Sequence, residues 1–400
     1  MPRGRTRTSH AAVALTAVLL LMCCALPVFV RKTRTGSQGN VQASAQASTK
    51  PSKVALRWKT SVNGIRHMSF SPSSHHLCII TDTGETVYNT STGSMLYTTT
   101  IPDVDQFILS PDANYAIAYS AMDSANTTCT LIDSNGRVCW KMDVGGAIWS
   151  ADACKVDGGA RFVVGTGSKR VYIIDISHDK KRYQRWRAPG AVVSVSLDPA
   201  GERVVVGTWQ KSKVQCRSID GDRIWELDAD SANLVHVQHL HSADRIAVCS
   251  QPNKRSIDGA FALIDVDGNP IWQGAIDASG KCRVYFSPDG RYVCLGRSNL
   301  IRHKGKSTFE KHAVLLDVQG NQLWDKGSLF FQINPLLVTS AGEVLVCNEK
   351  NELFVVNGAG NPQPSIRIPS AIVESVCSRD GSLCALRCAN GVVYMLRVSR

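Results

Sequence analysis

Few residues in this 400-residue chain stand at spacings that do chemistry. Three histidines cluster in LVHVQHLH as His236, His239 and His241, and on a strand His239 and His241 share a face. Two imidazoles so placed can ligate a metal, but no acidic or cysteine partner stands close in sequence, so the cluster reads as structural. Twelve cysteines follow residue 50: Cys78, Cys129, Cys139, Cys154, Cys216, Cys249, Cys282, Cys294, Cys347, Cys377, Cys384 and Cys388. They include no CxxC pair, which leaves zinc without support. They read as small buried hydrophobes, with one or two disulfides open to them in an oxidising compartment. There is no nucleophile elbow, P-loop or dinucleotide fingerprint, and Gly165-Thr166-Gly167 lies among strands, where it makes a turn. The expectation is a protein with no catalytic residue, no metal and no cofactor.

Positive charge forms the pattern that is harder to set aside. Basic runs recur as GSKR (Lys169, Arg170), QKSK (Lys211, Lys213), PNKR (Lys254, Arg255) and RSNLIRHKGKSTFEK (Arg297, Arg302, Lys304, Lys306, Lys311), the last also an insertion. The corresponding run SAMDSANTT carries no cation, and NEKNE is net acidic. A basic crescent of this kind suits anionic lipid headgroups or an acidic partner protein. The overall balance does not suit nucleic acid. The formal charge is +12, but residues 1 to 50 hold seven cations and no acid, leaving +5 over the remaining 350 residues.

The elements that position these runs follow from composition and repetition. At 44% apolar and 20% charged the chain is globular, which excludes a disordered, collagen-like or disulfide-scaffold protein. A Ser-Pro-Asp-Gly turn precedes a short apolar run at Ser287–Gly290 and at Ser110–Asp112. Asp198–Gly201, Asp380-Gly381, Ser71-Pro72, Asp157–Gly159, Ser242–Asp244 and Ser340–Gly342 are weaker copies, making eight. A second landmark is an apolar strand ending in Asp, a Gly turn, and an aromatic plug on the returning strand. Its plugs are Trp58, Tyr97, Trp140, Trp186, Trp225, Trp272 and Trp324, while NGAGNPQPSIRI has lost the aromatic residue. The spacing suits four short strands per unit, one propeller blade. Two strands after Asp380-Gly381 (SLCALR and VVYMLRV) and two before Ser71 (VALRWK and IRHMSF) are expected to join as one closing blade. The fold class is therefore all-β, an eight-bladed β-propeller over residues 53–400. The loop after the first strand of each blade is expected on one ring face, which gathers the basic runs there.

The amino terminus reads differently. Residues 1–10 are basic, and residues 11–30 carry no charge over twenty positions, about 30 Å as a helix, enough for one membrane crossing. A single transmembrane signal anchor fits best, with a cleaved signal peptide and lipidation at Cys23 or Cys24 as the other two fates. Residues 31–52 read as a flexible linker. The propeller is expected outside the cytoplasmic membrane, on its periplasmic side.

The Asp-x-x-Gly-x-x-x-Trp hairpins resemble the repeats of the PQQ-like, eight-bladed β-propeller family, and the Ser-Pro-Asp-Gly turns are similar to those of WD40-like propellers. The first family includes quinoprotein dehydrogenases and the propeller lipoprotein of the bacterial outer-membrane β-barrel assembly machinery. Its dehydrogenases hold their quinone beside an adjacent-cysteine disulfide and a Ca²⁺ ion. The only adjacent cysteines here, Cys23 and Cys24, lie in the apolar run, so the resemblance carries over the repeat and not the cofactor site. What it implies is a non-catalytic, membrane-tethered scaffold binding envelope proteins, with outer-membrane protein assembly as the process it would serve. The alternative is a ligand-binding or sensory propeller using its central channel.

Overall fold

A computed structural model describes residues 53–398, apart from short stretches at 178–179, 230–231, 241–242, 253–257, 278–279, 304–305, 328–332 and 365. The basic, apolar and linker segments expected over residues 1–52 lie outside the described residues. Among the described residues there is no helix, so none long and apolar enough to cross a membrane.

The described residues form thirty-two strands, β1 to β32, in eight antiparallel sheets of four. Seven sheets take consecutive strands in order, beginning with β2 (Ile65–Phe70), β3 (His76–Thr81), β4 (Gly84–Asn89) and β5 (Met95–Thr99) as blade I. Blade VIII joins β1 (Val54–Ser61) to β32 (Val392–Val398), β31 (Leu383–Cys388) and β30 (Ile372–Cys377). The ring thus closes as expected with both ends of the chain in one blade, but by three strands and one instead of two and two. IRHMSF is β2 and pairs with β3, so it opens blade I, and IVESVC supplies the missing strand as β30. The strand before each Ser-Pro-Asp-Gly turn pairs only with the strand after it, which makes it the innermost strand of its own blade.

The same frame corrects the placing of the basic runs. They follow the second strand of a blade, not the first. In blade III, GSKR joins β11 (Gly159–Thr166) to β12 (Arg170–Ser177). In blade IV, QKSK joins β15 (Arg203–Trp209) to β16 (Lys213–Ser218). Because strand direction alternates identically in every blade, these turns still share one ring face. The insertion in blade VI is not a loop. It lengthens β23 (Tyr292–His303) and β24 (Lys306–Asp317) to twelve residues each, in register from Tyr292↔Asp317 to His303↔Lys306.

Burial explains why the repeat needs its landmarks. The apolar clusters lie between neighbouring blades. One packs Cys78, Ile80 and Val87 of blade I against Phe107, Leu109 and Ala116 of blade II, all almost fully buried. Each such aliphatic or aromatic side chain contributes roughly 1.5–3 kcal/mol when removed from water. Cys78, Cys249, Cys294, Cys347 and Cys384 sit on second strands, where they pack into these inter-blade layers and do not face the ring interior. The plugs form the outer part of the same contacts. A Cβ added to Gly93, Gly268 or Gly320 would come within 3.0 Å of Trp58, Trp225 or Trp272 of the preceding blade. Those glycines also have φ between +74° and +88°, where side chains with a Cβ are strained. The Gly turn and the Trp are therefore two halves of one junction between blades. Trp58 and Trp225 complete it by donating their indole N–H to the carbonyls of Thr90 (2.9 Å) and Val266 (2.8 Å).

Candidate functional site

The two tryptophans outside the plug register meet on the face that carries the basic turns. Trp149 belongs to β10 (Ile148–Val156), at an irregularity between Ile148 and Ser150 that breaks the register with β11. Trp209 ends β15. Their ring centroids are 5.4 Å apart and tilted by 43°, joining blades III and IV. Trp149 Nε1 is buried with no hydrogen-bond partner among the described residues. Gly167 lies against its ring, where an added Cβ would sit 2.9 Å from Cε2. Sequence reasoning missed this pair, although its signal was available: six of eight tryptophans filled one slot and these two did not.

Both flanking turns are strained. Lys169 has φ 66°, Gln210 has φ 68° and Ser212 has φ 49°, left-handed values for residues that carry a Cβ. The turn at Lys169 is held by Lys169 N–H donating to Thr166 O (3.2 Å) and by Ala188 N–H donating to Lys169 O (2.9 Å). Thr208 Oγ1 accepts from Lys213 N–H (3.1 Å) across the other turn. The chain has fixed these turns against their local preference, and both present a lysine.

The expected basic residues divide into groups. Lys211 is exposed, and Lys169 and Arg170 are half-buried at the mouth of their turn. Arg170 reaches toward Gly145 and, after the Thr127 hydroxyl and the Gly145 N–H, helps hold the Asp143 carboxyl below its usual range. Lys213 is not a free cation. Its ammonium pairs with Asp228 (2.5 Å) and Glu226 (3.3 Å), because the cross-strand register places it opposite Asp228 on β17 (Arg223–Asp228). Lys311 is half-buried on β24, opposite Ser298. Arg297, Arg302 and Lys306 occupy positions on the long hairpin of blade VI. Lys254, Arg255 and Lys304 lie outside the described residues. The crescent also extends where the sequence did not place it. The outer strand of blade III, β13 (Lys180–Arg187), exposes Arg185 and Arg187 at this end, with Arg187 opposite Arg170, while its exposed Lys181 and Arg182, opposite Ile176 and Asp175, lie toward the other face.

The central channel is crossed by a bridge. Arg379, in the first turn of blade VIII, pairs through Nη2 with Asp152 Oδ1 on the innermost strand of blade III. Asp152 is almost fully buried, and its other oxygen accepts from Leu197 N–H (3.0 Å) and Ser196 Oγ (3.2 Å) of blade IV. His239 follows on blade V, its N–H donating to Ser196 Oγ (3.0 Å). Burial holds the His239 and His236 imidazoles toward the neutral form, with Asp198 and Asp152 opposing this at His239. His241 lies outside the described residues. Among those described, no group of three His, Cys, Asp or Glu could hold a metal ion, and eleven cysteines are free thiols.

Comparison with known proteins fits this picture. No curated protein matches the chain. Among solved structures, BamB from Moraxella catarrhalis superposes with a TM-score of 0.58 at 13% identity, covering 86% of this chain and 99% of that one. A chain from the crystal structure of a mitotic checkpoint complex superposes with a TM-score of 0.51 at 12% identity, covering 90% and 100%. These likenesses show the propeller fold. A family model described as outer membrane protein assembly factor BamB matches residues 125–359, more than half of the chain. With the Gly–Trp junctions of the blades, that match makes the chain a member of the PQQ-repeat propeller family of outer membrane protein assembly factor BamB.

Proposed function

We propose that this protein is a non-catalytic scaffold of the bacterial cell envelope, tethered to the cytoplasmic membrane by its amino terminus with the propeller on the periplasmic side. Its partners are envelope proteins, and the process is assembly of outer-membrane proteins. Family membership and the likeness to BamB support the process. The observation that carries the interaction reading is the Trp149–Trp209 pair between the strained turns of Lys169 and Lys211. Tryptophan anchors flanked by charge are what a protein-binding hot spot uses, and lysines with no acidic partner among the described residues select an acidic partner surface. The channel reading is weaker, since the Arg379–Asp152 bridge spans the space that a ligand would pass through.

The test is crosslinking of the full-length protein in its native cells, followed by solubilisation and identification of what co-purifies. The wild type is expected to recover a defined envelope complex containing outer-membrane assembly components. The double variant Lys169→Glu, Lys211→Glu is expected to lose it. Recovery unchanged by that charge reversal would remove the basic face from the account.

A further inference from the structure

Cys377 and Cys384 stand directly opposite each other on β30 and β31, the first hairpin of the closing blade. The neighbouring pair, Ser378 and Leu383, carries a backbone hydrogen bond, with Ser378 N–H donating to Leu383 O (3.0 Å). The cysteines therefore occupy the adjoining non-hydrogen-bonded position, where opposed side chains approach most closely. Their sulfurs are 3.3 Å apart. A disulfide needs ~2.05 Å, so closure requires about 1.2 Å of approach.

The two thiols differ in access. Cys384 is fully buried, whereas Cys377 is half-buried and lines a cavity of about 200 Å³ shared with Gln238, Phe286, Leu336 and Arg379. Cys377 Sγ also lies 3.2 Å from Leu336 O of the adjacent blade. A small reagent can thus reach one sulfur and leave the other to complete the reaction.

We propose that Cys377 and Cys384 are a redox site, a cross-strand dithiol that small organic disulfides convert to a disulfide. The Cys377 thiolate attacks one sulfur of the reagent, forming a mixed disulfide and expelling a thiolate. Cys384 then gives its proton to water and attacks the Cys377 sulfur, expelling the second thiolate. Two protein thiols are oxidised and one reagent disulfide is reduced to two thiols. The product closes the Ser378–Ser382 turn into a covalent ring, and that turn carries Arg379, which is held to Asp152 across the channel. The hydrogen bond with Cys377 and then burial hold Cys384 as the thiol, so the second attack accelerates as the solution becomes more alkaline.

The experiment treats the purified full-length chain with 2-hydroxyethyl disulfide, removes the reagent, alkylates remaining thiols and digests with trypsin. Cleavage after Arg379 separates the two cysteines, so the bond is read as the 368–379 and 380–387 peptides joined, two mass units below their sum. The expected result is that joined pair, forming faster at about pH 9 than at about pH 7 and released by dithiothreitol. Alkylation of both cysteines in separate peptides after treatment at the higher pH would overturn the proposal. So would linkage of either one to Cys347 or Cys388, which pack in the same cluster.

Discussion

The two faces of the ring are built on opposite principles. One face collects the turns between first and second strands and between third and fourth. There the side chains satisfy the backbone in the same way blade after blade. Asp133, Asp265, Asp317 and Asn357 each accept two backbone N–H groups across their turn. Ser110, Ser287 and Ser378 each donate to an Asp two residues on. Glycines take most of the left-handed positions, with Ser74 and Ala113 as the exceptions. The other face, between second and third strands, has Lys169, Gln210, Ser212 and Asn351 in such positions, with glycine kept at Gly391. It also gathers Trp149, Trp209 and the cations Lys169, Arg170 and Lys211. Repetition marks what holds the ring together, and departure from repetition marks what the ring presents.

The comparison breaks most visibly at a plug junction. Gly320→Val forces a branched residue into φ 80° and against Trp272 Nε1, 2.4 Å from the added Cβ. Left-handed strain of about 1–2 kcal/mol plus the displaced indole should cost about 3 kcal/mol, read as a lower urea midpoint. Binding per folded molecule should be unchanged. Trp209→Ala should do the reverse. Loss of a hot-spot anchor weakens partner affinity by about 2 kcal/mol, or roughly thirtyfold, with a smaller shift in the urea midpoint.

Two smaller effects sharpen the contrast. Gln210→Gly and Ser212→Gly should each stabilise the protein, because relief of about 1–2 kcal/mol of left-handed strain exceeds the added unfolded-state entropy of about 0.4–1 kcal/mol. Affinity should fall as the turn loosens, measured by titration against the partner identified by crosslinking. The smallest effect is in pH. Burial lowers the pKa of His236 and His239 in the folded state, so the unfolded chain binds protons more readily. Stability is then full above the unfolded value of about 6.5 and is lost as pH falls below it. The urea midpoint should drop on acidification toward about pH 5.5, less so for His239→Gln.

Most of the ring was legible because its junctions are local. A turn signature and a plug announce themselves within ten residues, and their spacing counts the blades. The blade's phase was harder, since IRHMSF looks alike as the inner strand of blade I or as part of the closing sheet. Only hydrogen bonding to His76–Thr81 decides it. The site was legible in half. The charges of Lys169, Arg170 and Lys211 lie in contiguous runs, but the neutralisation of Lys213 depends on Asp228, fifteen residues away on another strand. The Trp149–Trp209 contact and the Asp152–Arg379 bridge join residues sixty and 227 positions apart, which no local pattern brings together.

The central claim is that partners meet the face bearing Lys211 and not the repeated turns. A photoreactive amino acid placed at Lys211, and in a separate protein at the exposed Gln319 of a third-to-fourth strand turn, tests it in living cells. The account predicts a discrete envelope-protein adduct from position 211 and none from position 319. The same adduct from 319 alone would contradict it.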